Sequence, residues 1–104
     1  MRTIAHWVDG KYYEGNPIGR FAVENPGTGE VEAELLQASD ADLDHAVEVA
    51  RRAQKEWAKV SLAKRTAIMF RMRQLVLDHQ DEMAKMIVAE HGKNYSDAIG
   101  EIQR

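Results

Sequence analysis

Apolar and polar residues follow two different rhythms along this chain. In the first third the apolar positions come in short runs broken by turn residues. His6-Trp7-Val8 and Lys11-Tyr12-Tyr13-Glu14 are aromatic-rich segments on either side of Asp9-Gly10. An Asp-Gly pair suits the positive φ angles of a two-residue type I′ turn, so this stretch predicts a β-hairpin that ends at Gly15-Asn16-Pro17. Arg20–Glu24 and Glu30–Leu35 predict a second strand pair around Asn25-Pro26-Gly27-Thr28-Gly29, where proline sets φ and the glycines supply the turn. Glu30, Glu32 and Glu34 alternate with Val31, Ala33 and Leu35, which predicts one wet face and one buried face.

From Ser39 onward the period becomes helical. Ser39-x-x-Asp42 has the form of a capping box. Leu43, Ala46/Val47, Ala50, Ala53 and Trp57 then share one stripe. Ser61 is placed to cap a second helix with Ile68, Met72 and Leu75/Val76 facing a core. After a break near Asp78-His79-Gln80 the pattern resumes at Met83 and Met86/Ile87 and runs to about His91. Gly92 follows where a left-handed residue would end the helix. Ser96-Asp97 predicts a last cap, with Ile99 and Ile102 three apart before the chain stops at Arg104. A helix of about nine residues is too short to persist without packing partners. The expected organisation is therefore a β-hairpin region over residues 1–38 and a helical region over residues 39–104. The latter reads as a truncated part of something larger.

Composition narrows the picture. The chain has 104 residues, 44% of them hydrophobic and 30% charged, the balance of one ordinary globular domain. There is no cysteine, which excludes disulfides, thiolate metal sites and a thiol nucleophile within these residues. Neither a signal peptide nor a membrane span is legible, so the expected location is cytoplasmic. Residues 1–50 hold 3 basic and 10 acidic groups, whereas residues 51–73 hold 8 basic and 1 acidic. Such a basic amphipathic stretch can serve a binding module for RNA or anionic lipid. Its apolar stripe continues past Arg73, however, so it reads as a solvated helix face, with neither nucleic acid nor membrane expected as partner.

Candidate chemistry is sparse. Gly27-Thr28-Gly29 begins like a dinucleotide fingerprint, but Glu32 holds the place of the third glycine and a strand follows rather than a helix. Gly92-Lys93 lacks the partner glycine of a phosphate-binding loop, because Ile87 occupies that place. Of the four histidines, His6, His45, His79 and His91, His45 stands three residues after Asp42 on a helix. The two could share a metal, but no third ligand of suitable spacing accompanies them, so the pair reads as a surface ion pair. His91 stands where a cation complements a helix C-terminus. Asn94-Tyr95-Ser96 has the glycosylation pattern without the secretory context. No catalytic, cofactor-binding or metal-ligating residue is assigned.

As a whole, the chain resembles the N-terminal segment of the aldehyde dehydrogenase superfamily. The resemblance is carried by Trp7-Val8-Asp9-Gly10-Lys11, Val23-Glu24-Asn25-Pro26-Gly27-Thr28-Gly29-Glu30-Val31, Asp42–Val47 and Ala53-Gln54-Lys55-Glu56-Trp57, with Arg65 opening the second long helix. Within the superfamily, Ala89–Asn94 and Asp97–Arg104 are similar to the CoA-acylating methylmalonate-semialdehyde dehydrogenase branch. Most other branches carry a hydroxyl residue where His91 stands and a proline where Asn94 stands. The resemblance implies an α+β piece, hairpins followed by three or four helices, of a Rossmann-like α/β enzyme of roughly five hundred residues. In that family a cysteine attacks the aldehyde, hydride passes to NAD and the thioester is released to CoA. The nucleophile, the oxyanion-stabilising asparagine and the NAD contacts align beyond Arg104, so the segment is expected to be inactive and to bind no NAD. Its partner would be the rest of the parent enzyme. Helix faces intended for the missing sheet (Ile99, Ile102 and part of Met69, Phe70 and Met72) should be bare and favour self-association.

Overall fold

The computed structural model describes all 104 residues. It contains five strands, β1 (Arg2–Ile4), β2 (His6–Val8), β3 (Lys11–Tyr13), β4 (Gly19–Glu24) and β5 (Val31–Gln37). Four helices follow, α1 (Asp40–Trp57), α2 (Leu62–Asp78), α3 (Gln80–His91) and α4 (Tyr95–Gln103). The chain divides into two compact units: Met1–Glu24 with Val31–Lys59, and Asn25–Glu30 with Val60–Arg104.

In the first unit, β2 and β3 form the expected hairpin, with Val8 opposite Lys11. Both turn residues take positive φ, Asp9 at 57° and Gly10 at 74°, as a type I′ turn requires. Trp7 and Tyr12 are direct cross-strand partners whose rings meet edge to face with centroids 5.2 Å apart. Strands β4 and β5 pair antiparallel from Gly19↔Gln37 to Glu24↔Val31, with an irregularity at Val23/Glu24. A third strand was not legible in the sequence. β1 pairs parallel with β5 in the register Arg2↔Ala33 to Ile4↔Leu35, giving the order β1-β5-β4. Three residues cannot announce a periodicity, and their partner lies some thirty residues away.

Strand β5 also departs from the expected alternation. Its buried residues are Ala33 and Leu36, while Val31 is 47% and Leu35 38% exposed. Positions three apart in a strand point to opposite faces. As the middle strand, β5 therefore buries one residue on each face rather than a single apolar row. The glutamates share this pattern: Glu34 is half-buried and accepts from Arg20 at 2.9 Å. Helix α1 has its capping box as expected, yet Asp42 is its only buried residue. The apolar stripe is largely bare, with Leu43 60% and Val47 48% exposed.

In the second unit, Asn25-Pro26-Gly27-Thr28-Gly29 forms a closed turn. Gly29 N–H donates to the Asn25 carbonyl at 2.7 Å, and Gly29 has φ 75°. Ser61 caps α2 by accepting from Lys64 N–H at 3.3 Å. The break lies at His79, which ends α2 and precedes α3. Gly92 ends α3 in the left-handed region at φ 79°, where its N–H donates to the Val88 carbonyl at 2.9 Å.

Helix α4 starts earlier than expected. Asn94, rather than Ser96-Asp97, is the cap, and its side chain accepts from Asp97 N–H at 3.0 Å. Ser96 instead donates its hydroxyl to Asn94 Oδ1 at 2.8 Å, which spends it inside the first turn. Helices α3 and α4 pack on one another, and each buries one alanine, Ala84 and Ala98. Ile99 and Ile102 are half-buried rather than bare. Helix α2 buries no residue, so its expected core-facing stripe is open: Ile68, Met72 and Leu75 are exposed, as are Met69 and Phe70. No helix is long and apolar enough to cross a membrane.

Candidate functional site

The most densely bonded group in the first unit is centred on Asp42, which is 3% exposed. Three pieces of chain converge on its carboxylate. The capping box supplies Ser39 N–H, donating to Oδ2 at 3.0 Å. The end of the hairpin supplies the Tyr13 hydroxyl, donating to Oδ1 at 3.0 Å. The loop beyond it supplies Asn16 N–H, at 3.0 Å from Oδ1 and 3.2 Å from Oδ2. Gly15, at φ 61°, lets the backbone pass so close that a Cβ there would lie 2.2 Å from Oδ1.

Hydrogen bonds donated to a carboxylate favour its charged form. The Ser39 and Asn16 N–H groups, helped by the Ser39 and Tyr13 side chains, hold the Asp42 pKa at about 2. The same bond pushes the Tyr13 phenol up, because the hydroxyl proton is shared with an anion. An aspartate so acidic, with both oxygens already accepting, is a poor proton acceptor at neutral pH. Its chemistry is that of a fixed anion that ties the hairpin and its following loop to the start of α1. A hollow of about 330 Å³ beside it is lined by His6, Val8, Tyr13, Leu43 and Ala46 among others.

This geometry sets a pH dependence. Asp42 has a folded pKa of about 2 against an ordinary 3.8, so its stabilising contribution is complete above the ordinary value. It is lost as pH falls from that value through the folded one. Thermal unfolding between pH 5 and about 2 is expected to show a falling midpoint that flattens in Asp42→Asn; parallel curves for the two proteins would refute the assignment.

The four histidines are scattered rather than gathered. His45 does not pair with Asp42, contrary to expectation, because that carboxylate is taken; its ring lies 5.1 Å from Tyr13 instead. The enclosed Nε2 of His6 has no protein hydrogen-bond partner. His79 meets Glu82 at 3.2 Å, and His91 occupies the last turn of α3. In the second unit Asp81 accepts from Tyr95 at 2.7 Å and from Lys85 at 2.7 Å, which lowers its pKa and raises theirs. Lys93 pairs with Glu101 and lowers the pKa of that carboxyl. Asn94 spends its amide on Asp97 at 2.9 Å.

Around Gly27-Thr28-Gly29 every N–H is consumed locally. Gly27 donates to Asn25 Oδ1 at 2.9 Å and Thr28 to the Asn25 carbonyl at 3.2 Å. Gly29 donates to the same carbonyl, and Glu30 to Thr28 Oγ1 at 3.2 Å. A pyrophosphate would need those donors free and a helix N-terminus behind them. All four N–H groups are already used within the turn, and a strand follows it.

The family model described as the aldehyde dehydrogenase family matches residues 12–104. The chain belongs to the aldehyde dehydrogenase family. Its strands and four helices are those of a segment of that fold. It is 39% identical over all 104 residues to malonate-semialdehyde dehydrogenase 2 of Oceanobacillus iheyensis, and 40% over 103 residues to malonate-semialdehyde dehydrogenase 3 of Geobacillus kaustophilus. A Sinorhizobium meliloti structure, described as a methylmalonate-semialdehyde dehydrogenase complexed with NAD, superimposes on the whole chain with a TM-score of 0.96 at 40% identity. The NAD-dependent benzaldehyde dehydrogenase of Corynebacterium glutamicum covers 95% of the chain with a TM-score of 0.90 at 38% identity. The chain spans 21% of the length of the Oceanobacillus relative, 21% of the Sinorhizobium chain and 22% of the Corynebacterium one.

The Asp42 group escaped the sequence reading in part. Its capping box was legible, since both partners lie within one helical turn. The contributions of Tyr13 and Asn16, which come from 29 and 26 residues away, carry no local signature.

Proposed function

We propose that this chain is the opening segment of an NAD-dependent, CoA-acylating malonate- or methylmalonate-semialdehyde dehydrogenase, located in the cytoplasm and inactive as a segment alone. One observation carries the reading. Likeness to the Oceanobacillus enzyme, at 39% identity, covers all 104 residues while accounting for 21% of that enzyme. Thioester chemistry needs an activated thiolate, and these residues include no cysteine. The turn most like a nucleotide loop has its N–H groups occupied. Nucleophile and NAD contacts are therefore assigned to the rest of the enzyme, whose NAD-binding domain residues 39–104 would join.

The test is a chimera in which this chain replaces the matching segment of the Sinorhizobium enzyme. It is expected to form NADH from methylmalonate semialdehyde in a CoA-dependent way, whereas the 104-residue chain is expected to form none and to give no calorimetric signal with NAD. Turnover by the chain alone, or a folded but inert chimera, would overturn the proposal. A second reading, another aldehyde dehydrogenase branch, is favoured by the 38% identity to the benzaldehyde enzyme. The coding sequence downstream of codon 104 separates the two.

The bare face of α2 supports self-association of the isolated chain. Met69, Phe70 and Met72 are 54%, 68% and 59% exposed, and clustered apolar exposure of this kind drives association. Light scattering is expected to show a mass that rises with concentration, and less so in Phe70→Glu. A monomer at every concentration would contradict it.

A further inference from the structure

We draw no further inference here: the strongest candidate, the open apolar groove of about 540 Å³ that Met69, Met72, Val76 and Leu77 of α2 form with Ile102 of α4, carries nothing because nothing in the structure shows what covers it.

Discussion

Gly15→Ala is expected to destabilise the first unit more than any other substitution of a turn glycine. Two separate penalties meet at this residue. Its φ of 61° is a left-handed conformation that costs an L-residue about 1–2 kcal/mol. The added methyl would also sit 2.2 Å from Oδ1, 2.5 Å from Cγ and 2.8 Å from Oδ2 of Asp42, so the carboxylate must leave its three donors. Gly10→Ala is the natural control. At φ 74° it carries similar backbone strain, but a Cβ there meets nothing within 4 Å. Thermal unfolding should therefore show a clearly larger fall in midpoint for Gly15→Ala than for Gly10→Ala. The difference should shrink when both are placed in an Asp42→Ala background, since residues that share one contact are not additive. Equal losses in the native background would mean that the close approach to Asp42 contributes nothing.

Leu36→Ala is expected to cost about 2–5 kcal/mol, the usual loss for deleting a fully buried leucine. Leu36 is 2% exposed and is the largest fully buried side chain; the other buried apolar residues are the alanines at 33, 84 and 98. Urea unfolding of Leu36→Ala beside Leu35→Ala tests this directly. Leu35 lies next to it on the same strand but is 38% exposed, so its truncation should cost distinctly less. A Leu35 effect equal to that of Leu36 would show the Leu35 side chain to be covered in solution.

Both experiments bear on the shape of the core. Nineteen large apolar side chains are exposed, including Leu43 and Val47 on α1 and Met69, Phe70 and Met72 on α2. An amphipathic helix gains most of its stability from packing its apolar face. Here α1 and α2 have the pattern of packed helices without the packing, which fits a segment that spans 21% of a longer relative.

The sequence by itself determined the local elements. The Asp9-Gly10 turn, the Ser39 capping box, the Ser61 cap, the break at His79 and the left-handed Gly92 are each settled within a few residues, by φ preferences and short-range hydrogen bonds. The aldehyde dehydrogenase pattern was legible for the same reason, because its motifs are contiguous strings. Only the tertiary structure decided what depends on distant partners. It set β1 parallel to β5, placed one buried residue on each face of that strand, and brought Tyr13 and Asn16 to Asp42 in place of His45. It also left the α2 stripe open, because a periodic pattern shows that a face can be buried but does not supply the surface that would bury it.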